Sequence, residues 1–261
     1  MSLVALCSVH GSPGVTTTSL VLAGAWPETR NCVVVEADPF GGVVAARFGL
    51  GDTPGLASLA AVARRGLDTE VLWRHAQPLP GGVPVLVGPP SADQAHLVLR
   101  DLAPYLAEWC TDNPGVDVIA DCGRLAPGAP TLELLRRADT PLLVTRPTAD
   151  QLRLAANRLR SLDTVGTDVR LLLIGDTPYG PEEVAATLHV EVAGVMAWDP
   201  PAAEALSGGA AIRDLRRSLL ARSGAALVES LMVDSDPDAA VADDDSAPRR
   251  GEAKVGGEVG S

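Results

Sequence analysis

The turn His10-Gly11-Ser12-Pro13-Gly14-Val15-Thr16-Thr17 has the composition that lets a backbone wrap an anion. Gly11 and Gly14 permit a tight path, and the peptide N–H groups opening a following helix converge on one point carrying the positive end of the helix dipole. Thr16 and Thr17 add hydroxyls that suit a magnesium ion. Two other stretches end apolar runs on carboxylates: Glu36-Ala37-Asp38-Pro39-Phe40-Gly41-Gly42, and Val116 to Asp121 followed by Cys122-Gly123-Arg124. Turn amides, hydroxyls and acids at strand ends together suit a phosphate ester held with Mg²⁺. The cation that usually completes such a loop is missing, because the only lysine is Lys254 and Val15 stands in its place. Arg124 and Arg146, each close behind a strand, are the candidate substitutes.

These residues need strands to deliver them. Apolar runs rich in β-branched residues predict strands over 2–9, 32–36, 83–87, 116–120, 141–145, 169–174 and 190–195. Helices are expected over 16–25, 91–110, 131–137, 149–162, 181–188, 200–206 and 212–232, with Ser91 as an N-cap and a kink or break at Pro104. Apolar strands without alternation, separated by amphipathic helices, predict an α/β fold: a three-layer, doubly wound, mostly parallel sheet. One domain over 1–232 is expected, followed by a disordered acidic tail over 233–261.

The chain of 261 residues carries a net charge of −12. Eight acidic residues against three basic ones lie from Val233 onward, in a stretch too poor in large apolar side chains to offset its ordering entropy. An acidic terminus is repelled by anionic bilayers, and neither a leader nor a spanning run is evident, so a cytoplasmic protein is expected. Cys7, Cys32, Cys110 and Cys122 form no C-x-x-C pair, and the four histidines are scattered. Reduced thiols are therefore expected, with neither a zinc site nor histidine-based catalysis. Arg213, Arg216, Arg217 and Arg222 cluster on the expected last helix, but the acidic body argues against nonspecific DNA binding. Trp26, Trp73, Trp109 and Trp198 read as packing anchors, with Trp109 a candidate for exposure to a partner.

In order along the chain, these motifs resemble the MinD/ParA-type ATPases, deviant Walker P-loop proteins that dimerise around ATP. The loop 10–17 is similar to their K-G-G-x-G-K-T-T, residues 36–42 to D-x-D-P-x-G-N, residues 116–121 to the Walker B strand, and Gly194 to Asp199 to a late G-x-I-P-x-D segment. The resemblance covers about residues 1 to 232. It implies an ATP site with Gly11, Ser12, Gly14, Val15, Thr16 and Thr17 around the phosphates. It gives Thr16 and Asp121 to Mg²⁺, through water for Asp121, and a water-positioning role to Asp38. Asp176 falls where the family often places an Asn near the adenine, although a turn residue is the preferred reading there. His10 and Val15 replace both motif lysines, which predicts weak or vestigial ATP binding and a pseudo-ATPase. The implied function is spatial positioning, as in chromosome partitioning and cell division, or assembly scaffolding, by a homodimer. The alternatives are a slow ATPase using Arg124 in place of lysine, and a nucleotide-independent scaffold resembling the TadZ-type localisation proteins of pilus systems.

Overall fold

The computed structural model describes residues 3–11, 13–163 and 166–234. Ser12, expected at the phosphates, and the tail expected to be disordered beyond Asp234 lie outside the described residues. Eight strands form one sheet: β1 (Leu3–Ser8), β2 (Asn31–Glu36), β3 (Gln77–Pro78), β4 (Pro84–Leu86), β5 (Val116–Arg124), β6 (Thr140–Thr145), β7 (Arg170–Ile174) and β8 (Val192–Met196). Their order is β3-β4-β2-β5-β1-β6-β7-β8. Every pairing is parallel except that of the short edge strand β3 with β4.

Alternation along the central strands divides the core into two layers. Leu3, Ala5 and Cys7 of β1 join one cluster with Leu99, Leu106 and Leu134. Val4 and Leu6 join the other, with Leu20, Leu22 and Leu227. Since successive side chains of a strand point to opposite faces, a strand buried on both faces carries a nearly unbroken apolar run, as β1 does from Leu3 to Cys7. Helices cover both faces, giving the three layers expected. Strands β2 to β5 lie on one side of β1 and β6 to β8 on the other, so the chain reverses direction at β1 and leaves a crevice at its carboxyl end.

Several sequence expectations are corrected. Residues 44–75, where the sequence pattern predicts no helix, contain three, Val44–Phe48, Leu56–Ala63 and Thr69–His75. Pro104 does not break its helix, which runs unbroken over Ala92–Asp112 with Ser91 accepting from the Gln94 N–H. The single helix expected over 212–232 is two pieces, a 3₁₀ turn Ile212–Leu215 and a helix Leu219–Asp234. The break is made at long range: Asp199 Oδ2 accepts from the N–H groups of Leu219 and Leu220, which start the second piece. Arg213, Arg216 and Arg217 therefore lie before the last helix, and only Arg222 lies on it. Trp109 is 4% exposed and packs in the core, so it presents nothing to a partner. Among the described residues no helix is long and apolar enough to cross a membrane. Cys7, Cys110 and Cys122 are buried free thiols and Cys32 is a half-buried one. Burial pushes the Cys7 and Cys110 thiols up to about 12, and no group of three or more His, Cys, Asp or Glu could hold a metal among the described residues.

Candidate functional site

The turn after β1 leads straight into the helix Val15–Ala25. Gly14 is its N-cap at φ 109°, a left-handed conformation that an L side chain resists, and no side chain caps this end. The first-turn amides have no partners within the helix, so they point outward into the crevice. A Cβ at Gly11 or Gly14 would meet nothing, so the space beside these two glycines is open. The Val15 side chain, 6% exposed, turns into the helix-side core beside Leu20 and Leu22 while still lining the edge of the cleft. Pro13 lines the same edge. His10 is exposed, and its carbonyl accepts from the Ser8 hydroxyl.

Asp121 lies on β5 on the face that looks at this helix. Its Oδ1 accepts from the Gly123 N–H at 3.1 Å, while Oδ2 is buried with no hydrogen-bond partner. Burial pushes its carboxyl up to about 7; the Thr16 hydroxyl opposes this, and the nearby Glu36 and Asp38 charges reinforce it. An orphaned carboxylate oxygen beside a threonine hydroxyl, at the mouth of an uncapped helix, is the donor set that a hydrated Mg²⁺ takes. Thr16 and Asp121 thus fit the ion that the sequence implied.

A bulge then redirects the strand. Leu6 pairs with Asp121 but Ser8 pairs with Arg124, so β5 carries one extra residue opposite Cys7. Gly123, at φ +55°, absorbs it. The slip places Arg124 on the same face as Ser8, toward the loop. A Cβ at Gly123 would overlap the Asp38 carboxylate, which therefore lies directly against this backbone. Asp38 Oδ1 accepts from the Phe40 N–H at 2.8 Å, and burial raises the Asp38 pKa against the opposing effects of that amide and of Arg124. The Arg124 guanidinium stacks 4.3 Å from the centre of the exposed Phe40 ring.

The loop, Asp38 and Arg124 line one cleft of about 670 Å³, so the fold brings these residues together; Arg47, Trp198 and Glu204 also line it. Arg47 and Glu204 carry no motif and lie on segments distant in sequence, while Trp198, expected as a packing anchor within the segment Gly194 to Asp199, is instead exposed on the cleft. Arg146, placed near this crevice from its position behind β6, lines an adjoining hollow of about 500 Å³ with Asp176. The two hollows share Ile174, Ala197 and Trp198. Arg146 stacks at 4.1 Å on the exposed Trp198 ring.

Two acids of the matched motifs have structural work instead. Glu36 is 1% exposed and accepts from the N–H groups of Val43 and Val44 at Oε1 and of Gly88 at Oε2, tying two crevice loops to the end of β2. Burial raises its pKa, and those three amides oppose the rise. Asp199 caps the helix Pro200–Ser207 through the Ala202 N–H, in addition to the last helix.

No family model and no curated protein matches this chain. Solved structures do. A ParA family ATPase from Chlorobium tepidum aligns at TM-score 0.73 and 16% identity over 88% of this chain and 99% of its own. The septum site-determining protein MinD from Pyrococcus horikoshii, complexed with Mg-ADP, aligns at TM-score 0.68 and 19% identity over 88% of this chain and 95% of its own. Cobyrinic acid a,c-diamide synthase from Mycobacterium smegmatis, with bound ADP and magnesium, aligns at TM-score 0.62 and 18% identity, covering 91% and 96%. A diamide synthase among the matches shows that the architecture alone does not select one chemistry. Sheet order, loop position and near-complete coverage agree in one respect: the chain has the P-loop fold of the MinD and ParA ATPases.

Proposed function

We propose that this chain is a MinD/ParA-like positioning or assembly protein of the cytoplasm that holds ATP·Mg²⁺ weakly and turns it over slowly or not at all. The observation that carries this reading is the buried, unpartnered Oδ2 of Asp121 beside Thr16, at a helix start whose loop offers amides but no lysine. Backbone N–H groups from Gly14 to Thr17 hold phosphate oxygens in this reading, and Thr16 and Asp121 hold the ion's water shell. Bound Mg²⁺ supplies the positive charge that a motif lysine otherwise shares. Asp38 stands where it can orient a water, yet without a lysine the developing charge is poorly balanced, a loss of about 10²-fold or more in rate. The exposed Phe40, Trp198 and Leu219 around the crevice suit apposition of a second copy in a homodimer.

Isothermal titration of ATP·Mg²⁺ tests the reading. Weak saturable binding lost in Asp121→Ala is expected, and equal heats in both proteins would overturn it. Val15→Lys should tighten binding at least about tenfold, because the apolar stem can occupy the valine's place while the ammonium turns into the cleft that Val15 lines. A slow-ATPase reading is favoured by one observation, the position of Arg124 beside Asp38 in the cleft. It requires steady phosphate release that disappears in Asp38→Ala and in Arg124→Ala.

A further inference from the structure

A second groove, of about 530 Å³, opens on the helical layer away from the crevice, between the end of the helix Val15–Ala25, the 3₁₀ turn at 212–215 and the last helix. Trp26 and Trp73 form part of its wall, and four arginines line it: Arg30, Arg213, Arg216 and Arg222. Arg30 is committed to the buried Asp117, which also accepts from the Trp26 indole. Arg213 has only a solvent-exposed contact of 3.8 Å with its neighbour Asp214, an arrangement that contributes little. Arg216 and Arg222 are exposed and have no ion pair among the described residues. Glu28 is the single carboxylate lining the groove. In a chain of net charge −12, a groove with this excess of guanidinium groups is an anomaly of placement and needs an anionic occupant.

The chain supplies one within reach. Residues 236–245 hold five aspartates, Asp236, Asp238, Asp243, Asp244 and Asp245, and no basic residue. The last helix carries the chain about 18 Å from Arg222 to Asp234, at 1.5 Å per residue. Nine further residues reach back about 30 Å when extended, so the triple aspartate can lie against Arg216 and Arg222 without strain. We infer that the arginine groove is the docking site of the chain's own acidic segment 236–245. Tethering so short a segment gives an effective concentration in the millimolar range, so a correspondingly weak intrinsic affinity suffices to keep it docked. Carboxylates can engage the guanidinium groups in forked pairs, and the contact weakens as salt rises because the groove is open to solvent.

The test uses the full chain and, as probe, a labelled synthetic peptide of residues 236–245, read by fluorescence anisotropy at low salt. In the parent the groove is self-occupied. Asp243→Asn, Asp244→Asn and Asp245→Asn together should therefore raise peptide affinity at least about tenfold over the parent. Adding Arg216→Ser and Arg222→Ser to that variant should abolish the gain. In ¹⁵N spectra of the full chain, neutralising the three aspartates should shift the amides of Arg216 and Arg222 and the Trp73 indole, independently of protein concentration. Equal peptide affinity in parent and neutralised chain, binding that survives loss of both arginines, or no binding to the neutralised chain would each overturn the inference. Shifts that grow with protein concentration would place the segment on a second copy and overturn it as well.

Discussion

Replacing Asp121 with asparagine should make the protein more stable at neutral and alkaline pH, with an advantage that shrinks as pH falls toward 5. The carboxyl group is fully buried, its Oδ2 has no partner, and burial carries it up to about 7. In the unfolded chain an aspartate titrates near 3.8. Below that value both states hold the proton and Asp121 costs the fold nothing. Between the two values the unfolded chain has lost its proton while the folded chain retains it, so stability falls as pH rises and levels off above about 7. The gap is worth about 4 kcal/mol at the alkaline end. An asparagine escapes that cost but leaves amide groups short of partners, which returns about 1–3 kcal/mol. Asp121→Asn is thus expected to exceed the parent by about 1–3 kcal/mol near pH 8, a rise in midpoint of several degrees for a domain of this size. Near pH 5 the advantage should vanish or reverse. Thermal or urea unfolding without added metal measures both. Mg²⁺ with ATP should then stabilise the parent near pH 8 and leave Asp121→Asn unmoved. Identical pH slopes for the two proteins would refute the argument, since the buried charge would then not be where the geometry puts it.

Three further outcomes follow from the same contacts. Glu36→Ala strands the N–H groups of Val43, Val44 and Gly88 in a buried place, and should cost about 3 kcal/mol or more in urea unfolding. Gly123→Ala forces a side chain into the left-handed region and onto the Asp38 carboxylate. It should destabilise by about 2 kcal/mol in thermal unfolding, with larger losses in any phosphate release that depends on Asp38. Asp199→Ala uncaps two helices at once and should lower stability by about 2 kcal/mol, visible as earlier loss of helical circular dichroism on heating.

The strand–turn–helix at residues 3–25 and the acids closing β2 and β5 were legible because each is a local pattern: an apolar run, a glycine turn, a carboxylate at a fixed offset. What escaped depends on residues far apart in the chain. The helices between 44 and 75 are short, five to eight residues each, too brief for periodicity to declare itself. The last helix reads as continuous until Asp199, twenty residues upstream, is seen to cap its true start. The two stacked pairs, Arg124 on Phe40 and Arg146 on Trp198, join segments 84 and 52 residues apart. Trp109 was misjudged because its helix is amphipathic, and the buried side of that helix is fixed only once Leu102, Leu106 and Cys110 find the sheet.

The charges in the cleft favour a site ruled by its carboxylates over one ruled by its arginines. Glu36, Asp38 and Asp121 are all raised by burial, and the charges of the first two push Asp121 up further. Two of the cations that could balance them are engaged on aromatic faces, Arg124 on Phe40 and Arg146 on Trp198, and leaving such a face forfeits about 0.5–1 kcal/mol at an exposed site; Arg47, which also lines the cleft, acts on Glu36. A loop lysine reaches phosphate from below without abandoning such a contact. Here Val15 holds that place and spends its side chain on the core. Asp38 and Asp121, which repel one another and lack a loop lysine, gain more from a divalent ion than from a bare polyanion, which they would repel. Asp121, through its unpartnered oxygen, is therefore the residue on which the proposed Mg²⁺-dependent phosphate binding is expected to depend most.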